Sequence, residues 1–293
     1  MPLTTSQDQE SQPPTMRFTS TQRLFRCIYD EVRVPGDVLT IDRVREARRR
    51  KFRLRRYDSA SGILTIAVPT RLHETLHLQL RDMLLAQLVY GGIERDWVSM
   101  GAPTLHTTAE GPPYPGGKGG RGALVGLLEG DSTGGPWPAR GGPDHWPTLV
   151  VLAGESESLE ELRGHMEWWF AKSRHEVKIV LLAKFDHGRQ VVVLERWEEE
   201  EPPARAGATT TRLNDSLWRP ALRQEITIGR DGSTDPVSYH VTGGELVLGF
   251  RQLFLRGPGP GEPGEVVLSV EDLEKYAERV WSMVRDVDEA GGE

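Results

Sequence analysis

The chain has 293 residues, with 36 Lys and Arg against 43 Asp and Glu, a net charge of -7 and a mean hydropathy of -0.45. Its single cysteine, Cys27, excludes an intramolecular disulfide framework and a cysteine-cluster metal site. No apolar run approaches the roughly 18 residues of a membrane span, and residues 1–15 lack a signal-peptide core. We therefore expect an intracellular protein of the cytoplasm or nucleus, without membrane contact. These observations are compatible with a monomer or an oligomer.

Although the chain is acidic overall, residues 43–56 form a basic strip. Nine of its fourteen residues are Lys or Arg and only Glu46 is acidic, so it carries +8 while the rest of the chain carries -15. Closely spaced arginines neutralise phosphates and release counterions, which predicts nucleic-acid binding. The alternative is a solvated helix end that runs into an exposed strand. The predicted nucleic-acid-binding residues are Arg48, Arg49, Arg50, Lys51, Arg53 and Arg55.

The N-terminal part divides into a leader and a small folded unit. Residues 1–20 are rich in Ser, Thr, Gln and Pro, which predicts a disordered leader. Within 21–70, apolar residues at helical spacing predict a helix over 39–51. The two alternating runs of FRLRRYDSASGILTIAVPT then predict a β-hairpin.

The predicted core covers residues 71–197. A leucine stripe that ends at Gly91 and Gly92 predicts a helix over 71–90. Strands are predicted over 96–105 and 123–131, on either side of a Gly- and Pro-rich segment. The apolar run 148–153, a helix over 156–173 and the apolar run 178–185 then predict two parallel strands joined by a right-handed crossover. A further strand follows at 189–197.

The remainder reads as an extension packed on this core. Residues 198–211 form an acidic and Pro-containing loop, and 212–287 carry predicted strands near 224–229 and 245–255. A Gly- and Pro-rich loop at 257–264 precedes a closing helix over 269–287, and 288–293 form a tail. The fold class is therefore α/β with a mixed sheet.

The segment HETLH at residues 73–77 matches the H-E-x-x-H motif of zinc metalloproteases. On a helix, His73 and His77 share one face and can ligate Zn²⁺ while Glu74 acts as general base. The extended motif needs a histidine where the chain has Met83, and Glu94 is a poor substitute. We therefore favour the interpretation that both histidines flank the leucine stripe and form hydrogen bonds, which makes zinc an unfavoured cofactor.

Carboxylates cluster at the ends of two predicted strands. Glu129 and Asp131 end one strand, and Glu155 and Glu157 follow the next. If these strands pair, the carboxylates form the oxygen-rich site that Mg²⁺ or Mn²⁺ needs to activate water at a phosphodiester. The alternative is that Asp131 is a turn residue and that Ser156 caps the following helix.

The order helix, three strands, helix, strand resembles the αβββαβ core of the restriction-endonuclease-like PD-(D/E)XK superfamily. Segments such as EGDST, WPTLVVLAGESES, MEWWFAKS and VKIVLLAKFD resemble a family of uncharacterised fungal proteins, which is similar to the Uma family of predicted endonucleases. The fungal resemblance runs from about residue 21 to 281, and the nuclease resemblance covers about 71–197. It implies a nuclease-like core with an N-terminal helix and hairpin and a β-rich C-terminal extension that ends in a helix.

The resemblance also implies a site. Asp131 matches the metal-binding Asp. From their positions at strand ends rather than from the resemblance, Glu129 and Glu155 are further candidate metal ligands. Lys184, at the far end of its strand, joins Asp131 and Glu155 as a candidate catalytic residue. The chain departs from the pattern at Leu152, where the family has Glu, and at Gly154, where it has Lys. Lys178 begins its strand and lies about 20 Å from the end where Asp131 is expected.

Three functions follow from these observations. The leading hypothesis is a nuclease-like, nucleic-acid-binding protein whose Mg²⁺- or Mn²⁺-dependent phosphodiesterase site is weakened or lost, because Leu152 cannot coordinate a cation. The second is a structural or protein-interaction module on the same fold, with Trp168 and Trp169 exposed on the helix over 156–173. The third is a zinc metalloprotease that uses His73, Glu74 and His77.

Overall fold

The computed structural model describes residues 70–102, 129–200 and 218–284 in full. It also places the backbone of strands within 15–17, 38–42, 53–58, 63–67, 104–108 and 124–128. These described ranges hold fifteen strands in three sheets and four α-helices. The mixed α/β class predicted from the order of elements is confirmed.

A seven-stranded sheet forms the centre of the described part. Its strand order is β13-β12-β11-β10-β9-β8-β5. The strands are β5 (Trp97–Gly101), β8 (Ser132–Pro136), β9 (Leu149–Gly154), β10 (Ile179–Asp186), β11 (Val191–Glu200), β12 (Arg219–Asp231) and β13 (Ser238–Thr242). Strands β9 and β10 are parallel, as predicted, and the other neighbours in this sheet are antiparallel.

Helices cover both faces of this sheet. They are α1 (Arg71–Tyr90), α2 (Leu159–Ser173), α3 (Phe250–Phe254) and α4 (Val270–Trp281), with a short 3₁₀ turn at Glu94–Asp96. The leucine stripe of α1 packs with α4 on one face, and α2 packs on the other. The two faces of β9 therefore belong to different cores, with Val151 and Ala153 facing α1 and Leu152 facing α2.

The other strands form two smaller sheets. One has six strands in the order β1-β2-β4-β3-β7-β6, and the other pairs β14 with β15. The strands are β1 (Thr15–Arg17), β2 (Val38–Asp42), β3 (Arg53–Asp58), β4 (Ile63–Ala67), β6 (Thr104–Thr108), β7 (Leu124–Glu129), β14 (Leu246–Gly249) and β15 (Glu265–Leu268). The chain crosses from the six-stranded to the seven-stranded sheet at Gly130 and Asp131.

The predicted hairpin is confirmed, because β3 and β4 pair antiparallel. The predicted helix over 39–51 is wrong, since residues 38–42 form β2, which pairs with β1 and β4. Its sequence VLTID is rich in β-branched residues, which suit a pleated surface better than a helix. Residues 43–52, which hold most of the basic strip, lie outside the described residues.

Two predicted strands are broken in the structure. The strand over 96–105 is two strands in different sheets, because Gly101 adopts a positive φ of 67° between them. The strand over 245–255 is a strand to Gly249 followed by α3. The sequence prediction also missed β13, in which exposed and half-buried side chains alternate.

Three details of the helices correct the sequence analysis. Ser158, rather than Ser156, caps α2, and it forms a capping box with Glu161. Trp169 is fully buried, so α2 does not present an exposed tryptophan pair. The closing helix ends at Trp281.

Three predicted segments fall largely outside the described residues. Of the leader, only 15–17 are described, as β1, and of the 198–211 loop only 198–200, which extend β11. The tail lies outside the described residues altogether. None of the helices within the described ranges is long and apolar enough to cross a membrane.

Candidate metal centre

Helix α1 places two histidines one turn apart on its buried face. Thr70 caps the helix by accepting a hydrogen bond from the backbone N–H of His73 at 3.0 Å. His73 and His77 are separated by four residues and so project from the same face. They are 2% and 0% exposed, and their ring centroids lie 5.6 Å apart. The leucine stripe therefore carries both imidazoles into the interior.

Asp131 meets this face from the crossing between the two large sheets. Its backbone N–H donates to the carbonyl of Val151 at 3.1 Å, which ties it to β9. Its Oδ2 accepts the backbone N–H of Ala153 at 2.8 Å, and its Oδ1 lies 3.1 Å from His73 Nε2. The carboxylate is 3% exposed. The fold thus fixes a buried acid against His73 on the α1 side of the sheet.

His77 is held from both sides of its ring. Its Nδ1 lies 2.8 Å from the Ser132 hydroxyl, and its Nε2 lies 3.5 Å from Glu74 Oε1. Burial lowers the pKa of His77 below its ordinary value, against the opposing effect of its hydrogen bond with Glu74. The imidazole is therefore neutral at neutral pH, which is the protonation state that binds metals.

The three side chains have the composition and spacing of a metal centre. One potential ligand atom from each of His73, His77 and Asp131 lies within 4.8 Å of the others, and no other such group occurs in the described ranges. Neighbouring ligands around a cation at about 2.1 Å are about 3 Å apart, close to the 3.1 Å between His73 Nε2 and Asp131 Oδ1. Two imidazoles and one carboxylate suit Mn²⁺, Fe²⁺ or Zn²⁺ better than Mg²⁺.

Glu155 and Lys184, predicted as catalytic residues, lie together beside this cluster. The Thr70 hydroxyl, which caps α1, donates to the Glu155 carboxylate, and Lys184 Nζ donates to the Glu155 carbonyl at 2.7 Å. The other Glu155 oxygen lies 3.4 Å from His187 Nε2. Thr70 thus connects Glu155 directly to the turn of α1 that carries His73.

The remaining predicted carboxylates are placed differently. Glu129 ends β7 and is buried, but neither it nor Glu155 belongs to the group whose ligand atoms converge. Glu157 is buried with its Oε1 3.6 Å from His165 Nε2. The structure therefore brings Asp131 together with two histidines rather than with further acids.

Leu152 lies on the wrong face of β9 to be a missing ligand. Its side chain packs under α2 with Trp146, Met166 and Trp169, whereas Asp131 lies on the α1 side. Glu155 follows the end of β9 and lies on the α1 side, where the Thr70 hydroxyl donates to its carboxylate. A leucine at position 152 is therefore compatible with the His73, His77 and Asp131 group.

Several other basic residues lie outside this centre. Lys178 Nζ bonds to the carbonyl of His175 at the opposite end of β10, as its position in the strand predicts. Arg163 pairs with the fully buried Glu195. Arg48, Arg49, Arg50 and Lys51 lie outside the described residues, and Arg53 and Arg55 lie on β3, where only the backbone is described.

The group of three was not predicted as a unit. HETLH and Asp131 are separate features of the sequence, and the extended zinc motif places the third ligand close to HETLH, whereas His73 and Asp131 are 58 residues apart. The sequence feature that could have predicted the group is a helix with two histidines on its apolar face, followed later by a predicted strand that ends in Asp. Both elements belong to the same predicted core.

No family model and no curated protein matches this chain. Among solved structures, it is similar to a protein from Anabaena variabilis described as a "putative nuclease belonging to DUF820". The two share 10% identity and a TM-score of 0.38, over 76% of this chain and 90% of the other.

Proposed function

We propose that the protein is a nuclease-like, metal-dependent phosphodiesterase whose divalent cation is held by His73, His77 and Asp131. The observation that carries this proposal is the convergence of three buried ligand-type side chains within 4.8 Å, one of which is neutral because burial lowers its pKa. The donor set favours Mn²⁺ over Mg²⁺. In this proposal the two histidines replace the acid that the PD-(D/E)XK pattern has at position 152.

The surrounding residues have separate tasks in this proposal. A bound divalent cation would polarise a phosphoryl oxygen and lower the pKa of a water molecule. Glu155, oriented by the Thr70 hydroxyl, accepts the proton of the attacking water. Lys184, anchored on the Glu155 carbonyl, stabilises the negative charge that develops on the phosphate. The basic strip at 43–56 supplies further contacts to the nucleic acid.

Metal binding and cleavage are tested separately. Calorimetric titration of metal-stripped protein with Mn²⁺ is expected to give one site, which Asp131→Asn removes and Asp144→Asn, at an exposed acid, leaves unchanged. Cleavage of a labelled oligonucleotide with Mn²⁺, lost in Asp131→Asn, indicates an active enzyme. Mn²⁺ binding without cleavage indicates the weakened form of the site. Absence of Mn²⁺ binding contradicts the proposal.

A zinc hydrolase is the second candidate, because Asp131 supplies the third ligand that HETLH lacks in the sequence. Two histidines from one helix with a carboxylate resemble the ligand set of catalytic zinc sites, and Glu74 Oε1 lies 3.5 Å from His77 Nε2. One equivalent of zinc that survives dialysis, with peptide cleavage lost in Glu74→Gln, would favour this function. If the protein showed no metal binding and no nucleic-acid affinity, the result would favour the structural or protein-interaction module.

A further inference from the structure

Three exposed arginines lie at the end of the seven-stranded sheet that holds the metal centre. They are Arg71 at the start of α1, Arg189 in the turn between β10 and β11, and Arg230 near the end of β12. None of the three forms an ion pair with another residue in the fully described ranges. By contrast, Arg81, Arg163 and Arg256 all pair with acids. We call these three residues the arginine rim.

The strand register places the arginine rim at one end of the central strands, which we call the edge. Val191 pairs with Gly229, so Arg189 and Arg230 lie next to each other beyond this pair. Lys184 pairs with Gly154, one residue before Glu155, at the same edge. Arg71 follows Thr70, whose hydroxyl bonds to Glu155. From β9 to β12 this edge spans three interstrand steps, or about 14 Å.

Two acids close to these arginines, Asp186 and Asp231, form hydrogen bonds within their own turns. Asp186 Oδ1 accepts the backbone N–H of Arg189 at 2.9 Å. Asp231 Oδ1 accepts the backbone N–H and the hydroxyl of Ser233 at 2.9 Å and 2.6 Å, and these bonds lower the pKa of Asp231. The guanidinium groups therefore face solvent without a carboxylate partner among the described residues.

We propose that the arginine rim binds the phosphodiester backbone of a nucleic-acid strand at the end of the sheet beside the metal centre. This inference rests on the proposed function for its choice of anion. Guanidinium groups match phosphate oxygens in a bidentate geometry. Three of them beside strand ends that together span about 14 Å suit a chain of phosphates rather than one small anion. The rim is separate from the basic strip at 43–56.

The test measures binding without metal, so that it does not depend on the metal centre. The full-length chain is titrated against a fluorescent single-stranded oligonucleotide in EDTA, and anisotropy gives Kd at several salt concentrations. The variant carries Arg71→Gln, Arg189→Gln and Arg230→Gln. The matched control carries Arg95→Gln, Arg219→Gln and Arg251→Gln, which removes three other exposed arginines and the same charge. Thermal unfolding verifies that both variants are folded.

Removal of three phosphate contacts is expected to reduce the slope of log affinity against log salt by about 2, since each contact on a single strand contributes about 0.7. At 50 mM salt the rim variant should bind on the order of 100-fold more weakly, while the control stays closer to the parent protein. Equal losses in the two variants, or no affinity of the parent protein, would overturn the proposal.

The two proposals fail in different ways. Oligonucleotide binding is measured in EDTA, where the metal centre holds no cation, so the parent protein should bind the oligonucleotide through the rim whether or not it has an Mn²⁺ site. If binding depends on the rim but the protein has no Mn²⁺ site, only the proposed phosphodiesterase function is contradicted. If the protein has an Mn²⁺ site but binding does not depend on the rim, only the proposed role of the arginine rim is contradicted.

Discussion

The placement of Leu152 leads to a prediction that distinguishes the two faces of β9. From the PD-(D/E)XK pattern that the sequence resembles, Leu152→Glu would be expected to add a metal ligand. In the structure Leu152 is 2% exposed and packs with Trp146, Met166 and Trp169 under α2. We expect this substitution to unfold or strongly destabilise the protein without making Mn²⁺ bind more tightly than it does to the parent protein.

The magnitude follows from what the new side chain would replace. The buried leucine side chain contributes about 2 kcal/mol by leaving water, and an unpaired carboxyl group in its place costs several kcal/mol through desolvation or forced protonation. The sum, about 4 kcal/mol or more, is a large share of the roughly 5–15 kcal/mol by which a domain is stable. Leu152→Met, which conserves volume, should cost less than about 1.5 kcal/mol.

Urea unfolding followed by tryptophan fluorescence measures both variants, and calorimetry measures Mn²⁺ binding. If Leu152→Glu were as stable as Leu152→Met and bound Mn²⁺ more tightly than the parent protein, the side chain at 152 would reach Asp131. The assignment of Leu152 to the α2 side would then be wrong.

Burial raises the pKa of the Glu199 carboxyl above its ordinary value of 4.5, so the folded protein holds this proton more tightly than the unfolded chain does. The resulting stabilisation is fully present below about pH 4.5 and is lost as pH rises through the folded-state pKa. The stability gained by Glu199→Gln relative to the parent should therefore increase between pH 4.5 and 7.5 in urea titrations, and a constant difference would contradict this. Tyr276→Phe removes the 2.9 Å hydrogen bond to the Leu76 carbonyl, which joins α4 to α1, and should cost about 1–3 kcal/mol in the same assay, whereas no loss would show that the bond is unimportant. Ser158→Ala removes the cap of α2 and should lower stability by about 1 kcal/mol, with Ser158→Asp close to the parent protein; equal losses in both would argue against capping.

The sequence predicted elements best where one periodic pattern ran unbroken. The leucine stripe of α1 and the apolar runs of β9 and β10 gave helix, strand and parallel pairing, because each of these patterns is produced by one packing environment. Residues 38–42 were misassigned because the partners that make them a strand, β1 and β4, are not visible in the local pattern.

The candidate site was predictable in part. Asp131, Glu155 and Lys184 were named from strand ends and from resemblance, and the structure places all three at one edge. What could not be predicted is that His73 contacts Asp131, because this contact depends on how α1 crosses the sheet. The interpretation of Leu152 also required the strand register, since a shift by one residue moves a side chain to the other face.

Asp131 has a consequence for comparing this chain with other sequences. Its backbone bonds to Val151 and its carboxylate bonds to the backbone of Ala153, so it holds two strands together as well as facing His73. Selection for folding alone would therefore keep an aspartate at this position in descendants that had lost any activity. Joint retention of Asp131 with His73 and His77, the three side chains whose ligand atoms converge, is therefore the better evolutionary marker of a metal centre.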